Sequence, residues 1–135
     1  MKSPKKIIDI MMSSDAFSNW LGIEVLEISL GSCKLRCTVK DEMLNGFQIA
    51  HGGIAYSLAD SALAFASNSR GNQCFSIETS ISHMAKVSLG DQLTVICTEL
   101  HRGKTTGIYE VFIENQDSRK VAHFKGTVLV TANLW

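Results

Sequence analysis

Between Ile54 and Asn68 the chain has neither glycine nor proline, and alanine stands at positions 55, 59, 62, 64 and 66. Ile54, Tyr56, Leu58, Leu63 and Phe65 occupy most of the remaining turns, so the segment is apolar around most of its circumference. A helix of that kind does not lie on a surface; it is enclosed. Some 15 residues at 1.5 Å each give a rod of roughly 22 Å. The rest of a 135-residue chain has to build its enclosure. The small side chains let other backbone come close.

The flanking segments read as strands. Ile23 to Lys40 forms a hairpin folded at Gly31-Ser32, with Leu35, Cys37 and Val39 on one face and Lys34, Arg36, Thr38 and Lys40 on the other. That alternation belongs to a half-buried strand. After the Arg70-Gly71-Asn72 turn come four strand-like runs, 75–84, 92–101, 107–115 and 120–131, read as a meander. Ser3-Pro4 and Ser14-Asp15 are helix starts, and Gly22 is a stop. Strands, one long helix and more strands, without βαβ alternation, make an α+β chain with an antiparallel sheet. Residues 1–135 form one domain, of which 1–22 is an N-terminal helical segment.

Composition removes several classes of function. Lys plus Arg and Asp plus Glu are both 13, a net charge of zero, which argues against nucleic acid as a partner. The same balance eases self-association. No apolar run reaches the roughly 18 residues that span a bilayer, so no membrane role is expected. Asp9 interrupts the apolar stretch behind the basic N-terminus and no small-residue cleavage site follows, so the expected location is cytoplasmic. Cys33, Cys37, Cys74 and Cys97 lack metal or redox spacing and are expected to be reduced and structural. His51, His83, His101 and His123 are scattered singly, so no metal is expected.

Two features could carry chemistry. Asp60 is the only charged residue between Met43 and Ser69, in the middle of the apolar helix. A carboxylate there is costly unless it is paired or useful. Equally, Ser57, Asp60, Ser61, Ala64, Ser67 and Asn68 share a stripe that could be the helix's wet face. The second feature is His51-Gly52-Gly53 at the helix start, where free N–H groups can polarise a carbonyl. Asn45-Gly46 precedes it as a turn. Gly52 and Asp60 lie eight residues apart, about 12 Å along one helix. One reacting carbonyl therefore touches both only if the Asp comes from a second copy with its helix reversed, which demands a two-fold dimer.

The run from Leu44 to Ala62 contains N-G-x4-H-G-G-x4-L-A-D-x-A and resembles the signature of the hotdog-fold acyl-CoA thioesterases, those of phenylacetate degradation above all. The likeness continues through Asn68-Ser69, Gly90-Asp91 and residues 102–109. It implies a long helix wrapped by a curved antiparallel sheet, with chains paired into dimers and commonly tetramers. It also implies hydrolysis of an acyl-CoA to free acid and CoA without a cofactor, on aromatic or short-to-medium acyl groups. Asp60 would be general base or nucleophile, and Gly52 would offer its N–H to the thioester oxygen. Asn45 would help place water and substrate, His51 would support the loop, and Gly53 and Ser76 would border the substrate. Arg70, Lys86, Arg102 and Lys104 are the candidate cations for the CoA phosphates, with Arg102-Gly103-Lys104 preferred. Relatives often have proline where this chain has Ala85-Lys86-Val87, and an acidic residue or Asn at Ser82, which bears on substrate choice. A non-catalytic acyl-CoA-binding module would keep the pocket but not need Asp60. A hydratase would need a His–carboxylate pair that His51 does not offer.

Overall fold

The computed structural model describes residues 1–135. Ser3 Oγ accepts from Lys6 N–H and Pro4 opens helix α1 (Pro4–Ser14). Asp15 caps α2 (Ala16–Leu21), which ends at Gly22 in the left-handed region, φ 74°. Strands β1 (Glu24–Ser29) and β2 (Ser32–Thr38) form the expected hairpin. After a 3-10 turn at Asp41–Met43 comes the long helix α3 (Gly52–Asn68), starting two residues before the apolar run. Strands β3 (Asn72–His83), β4 (Gln92–Arg102), β5 (Thr106–Glu114) and β6 (Lys120–Leu134) complete the chain.

All six strands join one antiparallel sheet in the order β1-β2-β4-β5-β6-β3, and α3 packs against every one of them. The meander is therefore β4-β5-β6 only. The run after the helix, expected to be its first strand, lies beyond β6 at the sheet edge, with Cys74 opposite Val130 and His83 opposite Ala122. Residues 84–91 then carry the chain past the start of α3, where Ala50 N–H donates to Val87 C=O at 2.8 Å. Alternation along a strand sets which face is buried, not which neighbour it pairs with.

Leu58, Leu63 and Phe65 of α3 are buried against Leu35, Val95, Val111, Ile113 and Phe124 of the sheet. Each such side chain gains roughly 1.5–3 kcal/mol on leaving water. Close approach has a definite site. A methyl on Gly126 of β6 would lie 2.6 Å from Leu63 Cδ2, so only glycine lets the sheet meet the helix there. All four thiols are free and buried. Cys33 and Cys37 donate to the carbonyls of Ala62 and Leu21, as small core residues do. No helix is long and apolar enough to cross a membrane.

The polar stripe on α3 is not a wet face along its whole length. Ser67 and Asn68 are buried. Asn68 Nδ2 donates to the carbonyls of Ala64 and Cys74, and its Oδ1 accepts from Cys74 N–H and Trp135 Nε1. Ser57, Asp60, Ser61 and Ala64 are half-buried and line grooves, and the buried Ser67 borders one of them.

Candidate active site

Residues 44–51 form a pinned loop. Leu44 pairs with Ala50, Asn45 N–H donates to Ile49 C=O, and His51 N–H donates to Met43 C=O. Asn45 Oδ1 accepts from the N–H groups of Phe47 (2.9 Å) and Ile49 (3.4 Å), which shapes the loop from within. Its carboxamide NH2 is left for other partners.

The loop delivers His51 as the N-cap of α3, and its Nδ1 accepts from Gly53 N–H at 2.9 Å. The N–H of Ile54 donates to His51 C=O at 2.9 Å. Of the first three helical N–H groups, only that of Gly52 is uncommitted. It stands at the positive end of the helix dipole, worth roughly half a charge. Gly53, expected to border the substrate, has its N–H held by His51 Nδ1.

Gly52, Asn45 and His51 open on one cleft of about 400 Å³, with Ile49, Ala55 and Leu93 as apolar wall. Five further members come from the end of β3 and the segment after it: His83, Met84, Ala85, Lys86 and Val87. His83 was not legible as a site residue. It follows Gly52 by a whole helix and strand, carries no motif, and reaches the cleft through the β3–β6 register.

Asp60 lies elsewhere. It lines a groove of about 350 Å³ with Leu63, Ala64 and Ser67 of α3, Cys74, Phe75 and Ser76 of β3, and Val128. On its other side it shares a groove of about 330 Å³ with Asp15, Phe17 and Ser18 of the N-terminal segment. Ser18 Oγ, bonded to Asp15, meets Ser61 Oγ at 2.8 Å and ties α2 to this turn of α3. Burial pushes the Asp60 carboxyl above its ordinary range, and the Asp15 carboxylate adds to the rise. Asp60 and Ser76 thus come together, while Gly52, Asn45 and His51 form a separate group.

The four cations divide in two. Arg70 grips Glu99 with Nε to Oε1 at 3.0 Å and Nη2 to Oε2 at 2.6 Å, which holds Glu99 below the usual carboxylate range. Arg102 Nη1 donates to Ser67 C=O (2.9 Å) and Tyr109 Oη (3.1 Å), and Tyr109 in turn donates to Glu99. Both arginines, named as candidate cations for the CoA phosphates, are held within the chain, Arg70 by Glu99 and Arg102 by Ser67 C=O at the end of α3 and by the buried Tyr109. Lys104, in the β4–β5 turn, and Lys86, at the Gly52 cleft, are exposed.

Residues 47–122 match the model of the thioesterase superfamily. The chain belongs to that superfamily. It is 39% identical over 116 residues to the acyl-coenzyme A thioesterase PaaI of Escherichia coli, covering 86% of this chain and 83% of that one. The solved E. coli PaaI structure superposes with a TM-score of 0.95, covering 97% of this chain and 95% of that one at 34% identity. A Streptococcus mutans protein solved with acetyl CoA is 28% identical and gives 0.81 over 84% of this chain and 91% of its own. The helix enclosed by a curved antiparallel sheet is the hotdog fold.

Proposed function

We propose that this protein hydrolyses acyl-CoA thioesters to the free acid and CoA, at sites shared between two copies. The observation that carries the reading is the separation of the uncommitted Gly52 N–H and the unpaired Asp60 carboxylate into different grooves of one chain. The Asp60 groove opens beside β3, a sheet edge on which Phe75 and Ile77 are each more than half exposed. A long apolar edge invites pairing with another strand. A second copy with its helix reversed brings its Asp60 to the first copy's Gly52 cleft.

The chemistry follows from these groups. Asp60, ionised, takes a proton from water as the water oxygen bonds to the thioester carbon, or attacks that carbon itself. Gly52 N–H receives the charge growing on the carbonyl oxygen. On the water route the C–S bond then breaks, its electron pair leaves with the CoA sulfur, and Asp60 returns the proton to it. On direct attack, C–S cleavage leaves an acyl–aspartyl anhydride and CoA thiolate. Water then cleaves the anhydride to the free acid and Asp60, its proton going to the thiolate. Asn45 NH2 faces the same cleft and orients substrate or water; His51 holds the loop. Ser76 borders the base. Lys86 and Lys104 are the free cations for the CoA phosphates, and free buried thiols suit a reducing cytoplasm. A module that only binds acyl-CoA gains nothing from a half-buried carboxylate without a partner. PaaI and the acetyl-CoA-bound S. mutans protein support the substrate class, with aromatic and short-to-medium acyl groups foremost.

The test is thiol release from a panel of acyl-CoAs by the purified protein and by Asp60→Asn. The wild type is expected to turn over at least one acyl-CoA, and Asp60→Asn to lose about 10²–10⁴-fold in kcat. A variant within threefold of wild type would overturn the assignment.

A further inference from the structure

We propose that His83 is a further catalytic residue, a second hydrogen-bond donor to the thioester oxygen beside Gly52. The inference rests on the hydrolase reading above and adds a group to its site. His83 ends β3 and enters the Gly52 cleft from the sheet, opposite the loop that carries Asn45 and His51. Contact with the helix start is direct. A methyl placed on Gly52 would lie 3.4 Å from both Cε1 and Nε2 of His83, so the imidazole edge rests against that glycine. The ring is exposed to the cleft, and no protein hydrogen bond or ion pair occupies either nitrogen. His51 differs, because its Nδ1 is spent on Gly53.

The geometry suits a donor. Gly52 supplies one N–H, while the next two N–H groups of the helix are committed to His51. A carbonyl oxygen becoming an oxyanion has room for a second donor. Imidazole Nε2–H, preplaced at the wall of a partly apolar cleft, supplies it without reorganisation. Within its own chain His83 has no carboxylate beside it in the cleft, where Asn45, His51 and Lys86 are the other polar side chains. A general-base role would need a carboxylate of the same chain to orient the ring, which this wall lacks. In the shared site the Asp60 of the second copy is itself the base, which leaves His83 the part of donor. The reaction stays balanced as written above. His83 donates a hydrogen bond and transfers no proton.

Three variants separate donor from packing. His83→Phe keeps a ring but removes the N–H. His83→Gln removes the ring but keeps an amide N–H at similar reach. Asp60→Asn, run alongside, tests the underlying reading on its own. Expected for His83→Phe is a fall in kcat of about 10-fold or more with KM within about threefold, the signature of an interaction made mainly in the transition state. His83→Gln should recover to within about threefold of wild type. Full activity in His83→Phe, or Phe outperforming Gln, overturns the donor role. If Asp60→Asn stays active, the hydrolase reading fails instead, and the two failures are told apart. Circular dichroism and melting curves confirm that each variant is folded. Should His83→Phe not fold, His83→Ala against His83→Gln carries the same comparison.

Discussion

The proposed sharing of sites between two copies makes a quantitative prediction about mixed dimers. Gly52→Pro removes the one uncommitted donor, and proline is favoured at the first helical position. His51 already has φ −61° and ψ 138°, the extended backbone that a residue before proline requires. The variant should therefore fold while losing its oxyanion donor, at a cost of about 10²–10³ in kcat. Asp60→Asn removes the proposed base halfway along the same helix, about 12 Å away. Each homodimer has two crippled sites. In a heterodimer, one site combines both lesions and the other combines an intact Gly52 with an intact Asp60. Random exchange of equal amounts makes roughly half of the dimers mixed, each with one working site of two, so roughly a quarter of wild-type turnover returns. The assay is thiol release after co-refolding or co-expression, with light scattering to follow the oligomer. A mixture no more active than its better component would refute the shared site. So would a fully active monomer.

Other consequences are direct. Asp60 must be ionised to act, and its carboxyl is raised by burial and then by Asp15, so the acid limb of kcat should lie above the ordinary carboxylate range. Asp15→Asn keeps an N-cap for α2 and should move that limb to lower pH; an unmoved limb sinks the coupling. Because the folded state holds the Asp60 proton more tightly than the unfolded one, its stabilisation is complete below the unfolded pKa. It is lost as pH rises through the folded value. Asp60→Asn should accordingly melt no lower than wild type at pH 7, measured by calorimetry. Neutralising Lys86 and Lys104 together should raise KM for acyl-CoA and flatten its salt dependence while kcat holds. An unchanged KM removes them from the nucleotide site. Gly126→Ala drives a methyl into Leu63 and should cost about 1–3 kcal/mol by denaturant unfolding; no loss would show that helix and sheet are not locked there.

Much of this protein is local and therefore readable in one dimension. Caps at Ser3 and Asp15, the stop at Gly22, the hairpin at Gly31 and the enclosed helix depend on residues within a few positions of each other. Those interactions act before the chain has a tertiary structure. Asp60 and the Gly52 helix start could be singled out for the same reason, since helical rise alone puts them about 12 Å apart on one helix. Pairing was not. That β3 leaves the meander to sit beyond β6 depends on which edge is free once the helix is enclosed, and alternation is blind to it. The fate of Arg70 and Arg102 followed from that packing, because a buried Tyr109 and Glu99 need partners and the arginines were the donors within reach. His83 came to Gly52 by the same route. A strand register, set by many cooperating backbone hydrogen bonds, placed one ordinary histidine against the one helical N–H that the loop leaves free.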